Sequence, residues 1–314
     1  MDGQPIYQFI HDSLPGQARL NEPMKFHTTW RIGGPADVLV EPVNMENLRL
    51  TLDLVRKHNL PLTVIGNGSN ILVRDGGIRG VVLKIGARFS KVTAENNKIT
   101  AGGGTKLVRL VNVALSKGIG GFEFLAGIPG TVGGAVVMNA GVNGAAICDV
   151  LEYALLIDLS GETIMRTSEE LGFGYRMSNL QGASLIVLEA CCLGVSGEKK
   201  DIQKRIEEIL EKRKNTQPAT SASAGSVFKN PPGSSAGFLI EQAGGKGLRI
   251  GDAIVSTVHS NFIVNLGKAT AREVLDLIEK VKELVIQRFA IELTLEVKIL
   301  GEDHVGGDIM WKGL

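Results

Sequence analysis

The 314 residues are 44% hydrophobic and 21% charged, enough apolar material for about two domain cores, and 34 Lys+Arg against 33 Asp+Glu lacks the basic excess of a nucleic-acid binder. The longest apolar stretch, 185–195, is broken by Glu189 and is too short to cross a bilayer, and residues 1–14 lack the apolar core of a signal peptide. The 40 glycines are about one residue in eight, well above the usual ~7%, so many backbone positions must turn tightly or lie against something large.

In chain order, Val38–Val40 reads as a short strand. Asn44 caps a helix with Leu48, Leu52 and Val55 inward, which ends near Asn59 ahead of Pro61. Leu62–Ile65 is a buried strand that empties into Gly66-Asn67-Gly68-Ser69-Asn70. Strands at Ile71–Val73 and Gly80–Ile85 are separated by the turn signal Asp75-Gly76-Gly77. A hairpin turns at Asn96-Asn97, and Gly102-Gly103-Gly104 precedes a helix with Leu107, Leu110, Val111, Ala114 and Leu115 inward. Glycine density peaks between Gly118 and Gly144. Tyr153–Leu159 and Thr163–Thr167 are strands joined at Ser160-Gly161, followed by a strand at Ala183–Cys192. Asp201–Lys214 is a charged amphipathic helix with Ile202, Ile206, Ile209 and Leu210 on one face. Across 215–224 the composition shifts to Thr, Ser, Ala, Gln and Pro, which marks a domain boundary. Beyond it, Thr270 and Glu273 form a capping box for a helix with the stripe Val274, Leu277, Ile278, Val281, Leu284 and Val285. Alternation of Ile291, Leu293, Leu295 and Val297 with Glu292, Thr294, Glu296 and Lys298 predicts a strand. The glycine-rich end, 303–314, is expected to be disordered.

Two glycine-rich segments stand out. Gly66–Asn70 follows a buried strand and can fold into a nest of N–H groups facing anionic oxygens, with a plain surface turn as the competing reading. It matches neither the dinucleotide-binding fingerprint nor the phosphate loop of the nucleotide triphosphatases. Gly127–Gly141 holds five glycines and one proline in fifteen residues, so its backbone can lie against a planar or phosphorylated ligand; tight helix-on-sheet packing is the alternative. Two such segments far apart in sequence suggest the two ends of one extended cofactor.

Among single residues, Arg176 offers a bidentate fork for a carboxylate, although a surface arginine has the same local pattern. Ser226 sits at a sharp turn after Gly225, outside any nucleophile elbow and with no histidine near, so it suits proton relay better than hydrolysis. Glu296 lies on the polar face of its segment, where simple solvent exposure is the competing reading. Cys148, Cys191 and Cys192 form no CxxC pair and no metal spacing with the five histidines. No metal is expected, and a reducing, cytoplasmic location is.

Thr28–Ala36, Gly66–Asn70, Gly127–Gly141, Gly174–Ser178, Ala224–Pro231 and Leu295–Lys298 occur together, in order, over about residues 25–300. In this the sequence resembles the UDP-N-acetylenolpyruvoylglucosamine reductase family. The resemblance implies an α+β chain: an FAD-binding domain of the vanillyl-alcohol-oxidase (PCMH) type over 25–214, in two α/β subdomains of about 25–90 and 91–214. An N-terminal segment, 1–24, precedes it, and an α+β substrate-binding domain, 215–302, follows. It also implies non-covalent FAD, NADPH as co-substrate, and a nucleotide-sugar substrate whose enolpyruvyl group is reduced for peptidoglycan synthesis. Cofactor contacts are then expected from Gly66, Asn67, Gly68, Ser69 and Asn70, and from Ile128, Pro129, Gly130, Thr131, Gly133, Gly134, Ala135, Asn139 and Gly141. By the same resemblance Ser226 donates the proton, and Arg176 and Glu296 stabilise the enol form, Glu296 in a setting that keeps it protonated. Tyr175, Lys214, Asn230 and Gln242 are expected at the substrate, with Lys246 a weaker candidate. No nucleic-acid or membrane partner is implied, and the oligomeric state is left open, a monomer being plausible. No tyrosine lies between Tyr175 and Lys214, which resembles the shorter branch of the family, and Met177 departs from the small polar residue common beside the arginine. Two rival readings are an FAD oxidase of the same fold and a non-catalytic nucleotide-sugar binding module.

Overall fold

A computed structural model describes residues 4–142 and 144–303, which pack as two compact units assembled from separate stretches of chain. The first unit takes the chain up to residue 19 with 39–67 and 81–219, and the second takes 20–38, 68–80 and the chain from 220 on.

The first unit is built on a five-stranded antiparallel sheet, in the order Thr163–Thr167, Leu151–Asp158, Leu185–Leu193, Lys98–Gly102 and Val92–Glu95. The two hairpins turn where the sequence places them, at Ser160-Gly161 and Asn96-Asn97. Leu185–Leu193 lies mid-sheet and is apolar on both faces, which fits an element covered on both sides. Helix Leu107–Lys117 buries Leu107, Leu110, Val111 and Ala114 against Ile99, Ala101, Val187 and Cys192. Each leucine, valine or isoleucine among them contributes roughly 1.5–3 kcal/mol when fully buried, and the alanines less. The helix stops at Gly118, whose φ of +69° closes its last turn in the left-handed region. Helix Met45–Lys57 starts at Asn44, whose side chain accepts the Asn47 N–H at 2.8 Å, and lays Leu48 and Leu52 on Leu83, Ile85, Ile157 and Ile186. Leu62–Ile65 pairs in parallel with Val81–Lys84. Helix Lys199–Thr216 buries only Ile202 fully; Ile206 and Ile209 are partly covered and Leu210 is exposed, so its apolar stripe is narrower than expected.

Trp30, which is fully buried, anchors the core of the second unit with Phe228, Leu239, Val255, Ile263 and one face of helix Ala271–Phe289. Its indole N–H donates to the Ile263 carbonyl at 2.8 Å, and the Asn265 side chain donates to the Trp30 carbonyl at 3.0 Å. The capping box forms: Thr270 Oγ1 accepts the Glu273 N–H and Glu273 Oε2 accepts the Thr270 N–H, both at 3.1 Å. The Asp75 carboxylate accepts the Ala271 and Arg272 N–H groups at 2.9 Å, an anion at the positive end of the helix. Ile71–Val73 runs parallel to Lys298–Leu300, and Arg249–Ile250, Ala253–Val255 and Ile263–Asn265 form a small antiparallel sheet. Packing thus groups 20–38 and 68–80 with the C-terminal stretch, whereas a division by sequence keeps everything from 25 to 214 together.

One predicted strand is corrected. Ile291–Val297 is not a ladder strand; the strand is Lys298–Leu300, and Leu295 makes a single bridge to Phe228. The alternation still reports burial, since Leu293 and Val297 are buried while Glu292 and Thr294 are exposed. Alternation fixes which side chains point inward, not whether a regular partner strand exists. The N-terminal segment holds a helix, Gln4–Ser13, and a strand, Ala18–Pro23, and the glycine-rich stretch holds a short helix, Val132–Met138. Residues 304–314, nearly all of the expected disordered tail, lie outside the described residues. Among the described residues no helix is long and apolar enough to cross a membrane.

Candidate active site

Within the second unit, Ser226 and Glu296 are held on adjacent stretches of backbone. Gly225, with φ +77°, makes the turn that presents Ser226. The carbonyl of the next residue, Val227, accepts the Glu296 N–H at 2.8 Å, and Lys229 N–H donates to the Thr294 carbonyl at 2.8 Å. Asn70 supports the same segment: its side chain donates to the Glu296 carbonyl at 3.2 Å, and its own carbonyl accepts the Lys298 N–H at 2.9 Å. Ser226 and Glu296 are both half-buried, so Glu296 is not the plainly solvated residue its polar face allows. Asn230 Oδ1 accepts the Ala236 N–H at 3.0 Å, where helix Ala236–Gln242 begins. Gln242 is exposed at the other end of that helix, and Lys246 pairs with Glu241 at 2.9 Å.

Gly68 and Ser69 belong to this unit too. A Cβ on Gly68 would lie 1.9 Å from the His27 carbonyl oxygen, so only glycine permits that approach. Thr29 fixes the loop through its N–H to the Gly68 carbonyl at 3.1 Å and its hydroxyl to the Ser223 carbonyl at 2.7 Å.

In the first unit three glycine-bearing segments interlock. A Cβ on Gly66 would meet Thr131 Oγ1 at 2.4 Å, and Asn67 follows half-buried. Gly133 N–H donates to the Gly103 carbonyl and Val132 N–H to the Thr105 carbonyl, both at 2.8 Å, and Leu107 N–H donates to the Gly130 carbonyl at 3.0 Å. Thr131 caps the short helix by accepting the Gly134 N–H at 3.3 Å, and Ala135 packs into the core beneath. A Cβ on Gly134 would meet only Thr131 Oγ1, at 3.5 Å, and Gly134 is exposed. The result is a shallow face of bare backbone at Gly130–Gly134, flanked by exposed Pro129 and half-buried Ile128. Such a face fits a large planar or phosphorylated group, and a β-branched side chain would fill it.

Arg176 occupies a tight turn closed by reciprocal hydrogen bonds between Gly174 and Met177, at 3.0 and 3.1 Å. Its φ of +55° costs a non-glycine residue roughly 1–2 kcal/mol, strain of the kind that collects at functional sites. The guanidinium lies over the Tyr175 ring, 5.3 Å from its centroid, and donates to the Gly141 carbonyl at 2.7 Å. Three side chains fasten this loop. Asn139 donates to the Gly174 carbonyl at 2.9 Å and accepts the Cys148 N–H at 3.2 Å, so both ends of its amide are committed to backbone. Ser178 donates to the Val137 carbonyl at 2.7 Å, and Gln181 donates to the Val137 and Arg176 carbonyls at 3.2 and 3.1 Å. Met177 is exposed.

Lys214 points to solvent, and its neighbour Arg213 is the one that packs on the glycine-rich segment: a Cβ on Gly127 would lie 2.8 Å from Arg213 Nε. Burial pushes the Arg213 guanidinium down from its usual range. At nearby Glu123, burial pushes the carboxyl up, but backbone N–H groups and the Arg205 guanidinium outweigh it and hold the carboxyl below its usual range.

The structure therefore brings Ser226, Glu296 and Asn70 together in one unit, and Arg176, Tyr175 and Gly141 together in the other. Asn261, Asn265 and Gln181 are not anticipated from the sequence, and Thr29 and Ser178 enter only as members of the quoted motifs, without a role. A signal existed for the first two: they are polar residues bracketing the apolar run Phe262–Val264, and a buried amide there must bond to something.

Comparison with known proteins gives the family. A family model described as an FAD binding domain matches residues 36–167, and one described as the C-terminal domain of UDP-N-acetylenolpyruvoylglucosamine reductase matches 217–300. The reductase of Desulforamulus reducens is 49% identical over 294 residues, covering 94% of this chain and 97% of that one. The Bacillus subtilis reductase is 43% identical over 299 residues, covering 95% and 99%. The crystal structure of the Thermus caldophilus reductase aligns with a TM-score of 0.77 at 40% identity, covering 91% of this chain and 98% of that one. The α+β architecture, an FAD-binding domain followed by the reductase's own C-terminal domain, is as expected. The chain belongs to the UDP-N-acetylenolpyruvoylglucosamine reductase family.

Proposed function

We propose that this chain reduces the enolpyruvyl ether of UDP-N-acetylglucosamine to UDP-N-acetylmuramate, with NADPH as reductant and non-covalent FAD as cofactor, for peptidoglycan precursor synthesis. The observation that carries this reading is the pairing of Ser226 with Glu296 through the Val227 carbonyl, 2.8 Å from the Glu296 amide nitrogen, in a chain of this family. The bare backbone at Gly130–Gly134 and the Gly66–Asn70 loop hold the FAD. When bound there, FAD would supply the hydride relay between NADPH and the vinyl carbon of the substrate.

The chain's own residues govern the rest. Ser226 delivers the proton to C2, a task a weakly acidic hydroxyl performs only from a fixed position. Glu296 and Arg176 stabilise the enol form of the carboxylate. Arg176 is held in a strained turn by Gln181, Ser178 and Asn139, so its guanidinium needs little reorganisation during reaction. Tyr175 and Asn230 assist substrate binding; Lys214 and Gln242, both exposed, act at the outer, nucleotide end. The enzyme works in the cytoplasm, where nucleotide sugars and NADPH are made.

The visible spectrum of the purified protein tests the reading. It should be that of oxidised flavin, bleach with anaerobic NADPH, and return when the enolpyruvyl nucleotide sugar is added. Colourless protein, or reduced flavin that only oxygen restores, would overturn it.

A further inference from the structure

Behind the Ser226 turn lies a residue that the mechanism above does not use. Asn261 is 3% exposed, and it makes three hydrogen bonds to the two residues that follow Ser226. Its Oδ1 accepts the Phe228 N–H at 2.9 Å, its Nδ2 donates to the Phe228 carbonyl at 2.8 Å, and its own carbonyl accepts the Val227 N–H at 2.8 Å. One carboxamide thus satisfies both backbone groups of Phe228, as a neighbouring strand would. No regular strand is available to do so, because Phe228 has only an isolated bridge to Leu295.

Asn261 is itself held in place. Its N–H donates to His259 Nδ1 at 3.2 Å, and Ser256 Oγ accepts the Val258 and His259 N–H groups at 3.1 and 3.3 Å. On the far edge of the turn, the Val227 carbonyl accepts the Glu296 N–H and the Lys229 N–H donates to the Thr294 carbonyl. The Ser226 turn is therefore a middle layer, with Asn261 on one side and the Glu296 segment on the other. Removing the carboxamide would leave two buried backbone groups of Phe228 without partners, and the turn would move to recover them.

We propose that Asn261 is a positioning residue for proton delivery: it sets the place of the Ser226 hydroxyl by clamping the backbone of Phe228. The proposal rests on the reading of Ser226 as proton donor. It predicts that Asn261→Ala slows reoxidation of the reduced enzyme by the enolpyruvyl substrate about a hundredfold, the typical loss for a displacement near 1 Å. Flavin reduction by NADPH, which needs no proton from Ser226, should stay within about twofold.

Stopped-flow flavin absorbance of the holoenzyme, at full flavin occupancy, separates the two steps for Asn261→Ala, Ser226→Ala and the double variant. In the Ser226→Ala background, Asn261→Ala should add no further slowing, because it acts through the serine. Asn261→Asp keeps the acceptor for the Phe228 N–H and loses the donor to its carbonyl. It should retain more of the reoxidation rate than alanine, and it carries the same comparison if the alanine variant fails to fold. Multiplicative losses in the double variant, or equal slowing of both half-reactions by the asparagine variants, would overturn the proposal. If Ser226→Ala were selective for reoxidation while Asn261→Ala and Asn261→Asp reoxidised at the wild-type rate, Asn261 alone would lose its role. If Ser226→Ala slowed both half-reactions, the serine reading would fail first.

Discussion

Strands of four to nine residues pair through the five-stranded sheet of the first unit, whereas the strands lying wholly within the second are two or three residues long. In the second unit single side chains do what ladders do in the first. Trp30 bonds Ile263, Asn265 bonds Trp30, Asn70 bonds Glu296, Asn261 bonds Phe228 and Asp75 bonds the start of helix Ala271–Phe289. A ladder spreads the loss of one side chain over many backbone bonds. A joint made by one side chain concentrates it. Substitutions in the second unit should therefore reach Ser226 and Glu296 from a distance, and those in the sheet should not.

The largest break is expected from Trp30→Ala. Loss of a fully buried tryptophan costs about 3–5 kcal/mol, and the Ile263 carbonyl loses its donor. Hydrogen exchange should accelerate over residues 253–300, while the amides of Leu185–Leu193 keep their protection. Uniform loss of protection would erase the contrast between the units.

Next comes a change that tests chemistry rather than stability. Arg176→Lys keeps the charge but loses the planar fork, the stacking on Tyr175 and the bond to the Gly141 carbonyl. Turnover should fall about a hundred- to a thousandfold, the usual loss for one preorganised donor, with the melting temperature nearly unchanged. Wild-type turnover would leave the strained turn without a catalytic purpose.

The smallest effect is that of Asp75→Ala, which removes two charge-assisted bonds from one helix start. A destabilisation of about 1–2 kcal/mol in denaturant melts is expected, with Thr270 and Glu273 still capping the same turn. No measurable change would mean that the capping box alone suffices.

Much of the first unit is legible in the sequence because its signals are local. Leu62–Ile65, both hairpins, the helix starting at Leu107 and the Asn44 cap each follow from a few neighbouring residues. The capping box at Thr270 is local too. Helix Val132–Met138 was hidden because Gly133 and Gly134 disfavour helix; the Thr131 cap and core contacts of Val132, Ala135 and Val136 override that preference. The strand expected over Ile291–Val297 failed for a related reason: its alternation is real, but its partner is the irregular Ser226 turn. The joints of the second unit link residues as far apart as Trp30 and Ile263, and nothing in either local sequence announces the other. Ser226, Arg176 and Glu296 stood out through the family's motifs, while Gln181 comes from the structure alone and Asn261 is marked in the sequence only by its place beside the apolar run Phe262–Val264.

The central claim is that Ser226 acts in only one of two half-reactions. Stopped-flow absorbance of the Ser226→Ala flavoenzyme tests it most directly. Reduction by NADPH should proceed at nearly the wild-type rate, and reoxidation by the enolpyruvyl nucleotide sugar should slow by several orders of magnitude. Equal slowing of both steps, or reoxidation at the wild-type rate, would contradict the account.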